Sequence, residues 1–353
     1  MKRLFLLLMA VCVPFAALSV QSAPPGQKPY AKREDVDGFI RQMVEKHGFV
    51  DQELKFLFSR ARREPAILAA IEPPKDAKAR SWLTYRARFV TDARIAEGVE
   101  FWRRHAVALE RAAREHGVPE EIIVAIIGVE TFYGRNMGSY RIIDALTTLA
   151  FDYPRRAPFF RGELREFLLL ARSESFSPLE PKGSFAGALG IPQFMPGSTR
   201  RYAIDFDRDG RIDLWRSDDD AIGSIANYLA RHDWLRGQPI WSRASIATSQ
   251  REAALGRLDG GISERRPLAA WNADGVAAEW LPDPLSSEPV GLLALELPPD
   301  ASAEPMALFI AFPNFYVITR YNKSRLYAAA VTSLAEALRA AYTGAPATTV
   351  GMR

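Results

Sequence analysis

The chain has 353 residues, 48% hydrophobic and 11% aromatic, which is enough apolar material for one large domain or two to three small ones. Its formal charge is +4, but without Lys2 and Arg3 of the N-terminal leader 44 basic residues stand against 42 acidic ones. No Lys/Arg-dense block with interleaved aromatics occurs, which argues against a nucleic-acid partner.

The leader, MKRLFLLLMAVCVPFAALSVQS at 1–22, has two cations, an apolar run, Pro14 and small residues. That is the layout of a secretory signal peptide cleaved after Ser19 or Ser22, and it predicts export to an extracytoplasmic space. A retained anchor is the alternative, but the short run and Pro14 argue against a membrane span. Cys12 is the one cysteine and lies inside the leader, preceded by Val11 and not by a small residue, which argues against lipid attachment. The mature chain therefore lacks thiol catalysis, disulfides and cysteine metal ligands.

Residues 23–35 read as a proline-rich polar linker. An α-helical domain is expected over 36–100, where FIRQMVEKHG and DQELKFLFSRA have helical periodicity. Over 101–236 a helical core is expected, with helices at 99–116, 119–133, 161–172 and 219–231. Short apolar runs between polar and proline breaks mark a small β-containing domain over 237–305. A helix at 326–341 belongs to a C-terminal part, 306–345, that completes the helical body. The fold class is mainly α.

The helix predicted within IIVAIIGVETFYGRNMG carries one acid, Glu130, on the face of Ile123, Ile126 and Ile127. Gly134 supplies the expected stop. Partial desolvation and the negative end of its own helix would both raise the pKa of Glu130, as general-acid cleavage of a glycosidic bond requires. The bland alternative is a structural glutamate paired with Arg135 or Arg155. Next, KGSFAGALGIPQFMPGST places Ser184 and Gln193 among glycines and aromatics. That mix suits a sugar, although the aromatics could equally be core.

The stretch DFDRDGRIDLW resembles a calcium-binding loop. Asp205, Asp207, Asp209, Gly210 and Ile212 match positions 1, 3, 5, 6 and 8, and Arg211 falls at the backbone-carbonyl position 7. Position 12, normally a bidentate acid, is Arg216. The four histidines form no metal-ligand pattern, and neither a nucleophile elbow nor a P-loop is present.

Five ordered blocks, GVPEEIIVAIIGVETFYGRNMG, ALTTLAFDYPRRAPFF, KGSFAGALGIPQFMPGST, AIGSIANYLARHDW and PNFYVITRYNKSRLYA, resemble the membrane-bound lytic murein transglycosylase B family. The resemblance is close over 80–240 and returns at 312–340. It implies a lysozyme-like α core with an N-terminal helical domain and a small inserted β-containing domain. It also implies cleavage of peptidoglycan between N-acetylmuramic acid and N-acetylglucosamine without water, leaving 1,6-anhydromuramoyl ends, in the periplasm. By the same resemblance Glu130 of the V-E-T motif is the catalytic carboxylate, and Ser184, Gln193, Tyr228, Tyr321, Asn322, Tyr327 and, by spacing, Tyr85 bind the substrate. Where the family can carry a tyrosine after YPRRA, this chain has Phe159. The family's metal loop is longer and closes on a later aspartate, best matched by Asp220, with Asp219 next to it. No cofactor is implied for catalysis, only a structural calcium ion. The expected partners are peptidoglycan glycan strands, with wall-synthesis proteins as candidates, for an enzyme acting as a monomer. A muramidase using water and a non-catalytic murein-binding scaffold are the alternatives.

Overall fold

The computed structural model describes residues 28–72, 81–283, 287–297 and 306–344. The expected leader lies outside these residues. From Tyr30 onward the chain is already docked. The buried Tyr30 hydroxyl donates to Asp152 Oδ2 at 2.7 Å, and Arg33 pairs with the same carboxylate at 2.6 Å. The linker expected to run to residue 35 is thus shorter, because an aromatic ring and a guanidinium close on a buried acid.

Helices α1 (Glu34–His47), α2 (Asp51–Arg60) and α3 (Pro65–Ala70) come first. They are followed by α4 (Trp82–Phe89), α5 (Asp92–Arg104), α6 (Ala106–His116) and α7 (Glu120–Thr131). Then come α8 (Ile142–Asp152), α9 (Ala157–Ser173), α10 (Pro196–Tyr202) and α11 (Asp218–Ala230). In α1, Val36, Phe39, Ile40 and Met43 form an i, i+3, i+4, i+7 stripe, and Gly48 ends the helix at φ 64°. A single helix was expected over 99–116; the chain instead breaks at His105, whose imidazole Nε2 lies 3.2 Å from Asp218.

The apolar stripes sort the helices differently from the expected boundary near residue 100. Side chains of α1–α3 share one buried cluster with α8 and α9. Those of α4 and α5 join a second cluster built around α7 and α11. The second cluster also takes in α14 (Pro313–Tyr321) and α15 (Arg325–Thr343). An amphipathic helix goes where its apolar face finds a partner, and sequence proximity does not choose that partner.

Strands β1 (Tyr140–Arg141) and β2 (Lys182–Gly183) form a small antiparallel pair beside α8. The β-containing part is a six-stranded antiparallel sheet. It comprises β3 (Trp241–Ile246), β4 (Leu258–Asp259), β5 (Ile262–Ser263), β6 (Val276–Ala278), β7 (Gly291–Glu296) and β8 (Met306–Ala311), in the order β4-β5-β7-β8-β3-β6. Strand β8 lies beyond the expected end at residue 305, because it pairs with both β7 and β3. Both faces of the sheet are covered. Trp241, Leu293 and Phe309 point into the helical core, whereas Ile246, Leu292 and Ile310 form a third cluster with α12 (Arg251–Leu255) and α13 (Leu268–Ala273).

Candidate active site

After its two opening glutamates helix α7 is apolar all round as far as Glu130, and apart from Glu120 and Glu130 its residues are buried. Such a helix is stable only at the centre of a body. Glu130, in its last turn, is partly buried. The helix stops at Thr131, short of the glycine expected to end it, because Phe132 and Tyr133 already have positive φ, 52° and 59°. Two anchors hold that strained turn. Thr131 Oγ1 donates to the Ile191 carbonyl at 3.1 Å, and the Tyr133 hydroxyl donates to the Arg94 carbonyl at 2.9 Å. The Tyr133 ring fits only because positions 98 and 128 are glycines; a Cβ there would lie 2.2 and 2.6 Å from its hydroxyl oxygen.

Burial pushes the pKa of Glu130 from an ordinary 4.5 up to about 7. A hydrogen bond from the Tyr327 hydroxyl to Oε1, at 2.6 Å, acts in the opposite direction because it favours the ionised form. Among the described residues no arginine pairs with Glu130. Arg135 pairs with Glu97 at 2.6 Å, and Arg155 lies 3.4 Å from Glu72. The paired structural glutamate is therefore not what the fold builds.

A conventional hydrolase needs a second acid about 5–9.5 Å away. Asp144 pairs with Arg141 at 2.7 Å and accepts the Arg62 N–H, while Asp152 is held by Tyr30, Arg33 and Arg63. Both stand on α8, in the other packed cluster.

Around Glu130 stand tyrosines from three separate parts of the chain. Tyr321 and Tyr327 stack with centroids 6.3 Å apart, and Tyr228 meets Tyr321 edge-on at 5.0 Å. Tyr85 lies close enough for the Glu130 charge to help raise its pKa, after burial. Tyr228 and Tyr321 use their hydroxyls internally, on the carbonyls of Arg320 at 2.7 Å and Pro192 at 2.6 Å. Those two offer ring faces more than free hydroxyls. Asn322 is exposed where α14 ends, and Phe159, where a tyrosine was weighed, is 41% exposed beneath the guanidinium of Arg156.

The glycine-turned loop lies against this group. Gln193 adopts φ 51°, and its Nε2 donates to the carbonyls of Gly190 at 2.8 Å and Met137 at 3.2 Å, which leaves its amide oxygen to accept. Ser184 Oγ accepts the N–H groups of Ala186 and Ala188, which leaves its hydroxyl hydrogen to donate. Gly190 has no alternative, since a Cβ there would meet the Leu214 carbonyl oxygen at 2.3 Å. The sequence reading missed Thr131 and Pro192, whose roles are set by partners about sixty and 129 residues away.

Asp205, Asp207 and Asp209 bring carboxylate oxygens within 4.8 Å of one another. Asp220 does not join them. It is 1% exposed, and its two oxygens accept N–H groups of Phe206 at 2.7 Å and Asp213 at 2.8 Å, so it shapes the loop from within. Asp219 faces His105 at 3.8 Å.

A carboxylic acid held protonated near neutrality on a mainly helical scaffold is what general-acid cleavage of a glycosidic bond requires. The model of the transglycosylase SLT domain matches residues 31–336, and the chain belongs to that family. It is 42% identical over 319 residues to membrane-bound lytic murein transglycosylase B of Escherichia coli (strain K12), covering 88% of this chain and 84% of the relative. The soluble lytic transglycosylase SltB1 from Pseudomonas aeruginosa superposes with a TM-score of 0.79 at 46% identity, over 88% of this chain and 99% of that one. The Escherichia coli lytic transglycosylase Slt35 in complex with calcium gives a TM-score of 0.77 at 42% identity, over 90% and 95%. The activity is that of a lytic murein transglycosylase. Among the described residues no helix is long and apolar enough to cross a membrane.

Proposed function

We propose that Glu130 alone cleaves the β-1,4 bond between N-acetylmuramic acid and N-acetylglucosamine, first as acid and then as base. Protonated Glu130 gives its proton to the glycosidic oxygen as that oxygen leaves the muramoyl C1. The substrate's own N-acetyl oxygen stabilises the positive charge developing at C1, the substrate-assisted route. Ionised Glu130 then removes the proton of the C6 hydroxyl, whose oxygen bonds to C1 and closes the 1,6-anhydro ring. The proton returns to Glu130 and no water is consumed. Attack from within the same sugar has a large effective-concentration advantage over water.

One observation carries this reading. Glu130 stands partly buried with the Tyr327 hydroxyl on its Oε1 at 2.6 Å, while Asp144 and Asp152, the acids weighed as a second carboxylate, are held by Arg141 and Arg33. Ser184 as donor and the Gln193 amide oxygen as acceptor suit the sugar's hydroxyl and N-acetyl groups, Tyr85, Tyr228 and Tyr321 its C–H faces, and Asn322 the rim. The place of action is the periplasm, where peptidoglycan is the partner. Mass spectrometry of products from intact sacculi should show 1,6-anhydromuramoyl ends; reducing muramic acid alone would make the enzyme a muramidase.

We infer further that Asp205, Asp207, Asp209 and the Arg211 carbonyl hold a structural calcium ion. The clustered carboxylates are hard oxygen donors whose mutual repulsion a divalent cation would relieve. Calcium binding only the folded state would raise the thermal midpoint with concentration. A midpoint that is identical in calcium and in chelator would remove the ion from the account.

A further inference from the structure

Gln193 sits at φ 51°, a left-handed conformation that its β-carbon makes costly. Such a conformation persists only where the surroundings over-determine it. Part of the support is local. The Leu189 N–H donates to the Phe194 carbonyl at 2.7 Å, and the Gln193 N–H to the Gly190 carbonyl at 3.2 Å, so the loop closes on itself. The Ile191 N–H donates to the Leu214 carbonyl at 2.8 Å, which ties the loop to the segment after the three clustered aspartates.

The carbonyls of Ile191 and Pro192, consecutive in the chain, are held from outside, each by a hydroxyl from a different wall of the site. Thr131 Oγ1 donates to Ile191 at 3.1 Å, and the Tyr321 hydroxyl donates to Pro192 at 2.6 Å. The Pro192 carbonyl is the one polar group of that residue's backbone, since proline has no N–H. Thr131 directly follows Glu130 and is 0% exposed, so it meets no substrate. Its Oγ1 also accepts the Gly134 N–H at 3.0 Å; the Ile127 carbonyl, a rival acceptor for its hydrogen, lies farther off at 3.3 Å. Met137, in the turn after α7, adds a third tie by accepting from Gln193 Nε2 at 3.2 Å. The helix of the acid and its following turn thus grip the loop twice, and α14 grips it once.

We propose that Thr131 and Tyr321 are positioning residues: by holding two successive carbonyls they set the Gln193 amide oxygen against the helix that carries Glu130. The N-acetyl group of the sugar is then aimed at C1 at the moment the acid is in reach of the leaving oxygen. The proposal rests on the reading of Gln193 as the acceptor for that group, and it gives the Tyr321 hydroxyl a task that does not involve touching the sugar.

The test uses the full-length enzyme acting on isolated glycan strands. Thr131→Val keeps the shape and loses the hydroxyl, and should lower kcat about tenfold, the worth of one buried hydrogen bond, with KM changed by less than about twofold. Thr131→Ser keeps the hydroxyl and should stay within about twofold of the parent. Tyr321→Phe keeps the ring face and removes only the bond to Pro192, so it should repeat the kcat loss from the other wall. A double variant shows whether both act through Gln193. Adding Thr131→Val to Gln193→Ala should cost no more than about twofold beyond Gln193→Ala alone, because an absent amide cannot be misplaced. Additive losses, an unchanged kcat in Thr131→Val and Tyr321→Phe, or a loss in Thr131→Ser equal to that in Thr131→Val would each overturn the assignment. A Gln193→Ala enzyme as active as the parent would overturn it together with the sugar reading of that amide, which keeps the two failures apart.

Discussion

Glu130→Gln should reduce the release of anhydromuropeptides by roughly 10²–10⁴-fold, the range that general acid–base groups supply, with the upper end expected because one residue serves both steps. The fold should survive and, above neutral pH, gain stability. The reason is linkage. Burial raises the carboxyl from 4.5 to about 7 in the folded protein, so between those values the folded state binds more protons than the unfolded state. Stability therefore falls as pH rises through that window, by about 3 kcal/mol for this group. Glutamine cannot ionise and removes that penalty. Thermal unfolding at pH 5 and pH 8 should show the midpoint difference between the two proteins growing at the higher pH. A variant less stable than the parent at pH 8, or one retaining most of its activity, would mean that Glu130 is not the buried acid described.

Tyr327→Phe has the second largest expected effect, and its direction separates a positioning role from a structural one. The hydroxyl donates to Glu130 Oε1 and holds its pKa below the value that burial alone would set. Without it the alkaline limb of the kcat/KM profile, which follows loss of the acid's proton, should move to higher pH. The hydrogen bond strengthens as Glu130 gives up its proton, so kcat should also fall, by about tenfold. A variant that melts earlier but keeps an unmoved limb would reduce Tyr327 to a packing residue.

The sequence exposes Glu130 because a single acid in the apolar run 122–131 is a local pattern, and helical periodicity likewise reveals α1, α2, α7, α9, α11 and α15. Three kinds of feature were not legible. Helices α8 and α10 lack a contrasting polar face, being buried in the middle of the protein or only two turns long. The end of α7 depends on Thr131 and Tyr133 finding partners at Ile191 and Arg94, which no local rule foresees. Asp220 was matched by spacing alone, and spacing does not say whether a carboxylate turns toward an ion or toward its own backbone. The grouping of tyrosines around Glu130 came from the family resemblance; the distances that give the hydroxyls of Tyr228, Tyr321 and Tyr327 their partners came only from the folded chain.

Glu130 and its hydrogen-bonding tyrosine are separated by 197 residues. Tyr85 precedes both, and α15 is the last described helix. A growing or half-folded chain thus possesses the glutamate long before it possesses its surroundings. Until α15 docks, Glu130 lacks the hydroxyl that donates to its Oε1. Loss of α15 would therefore remove the Tyr327 hydroxyl from Glu130 while leaving the glutamate itself in the chain.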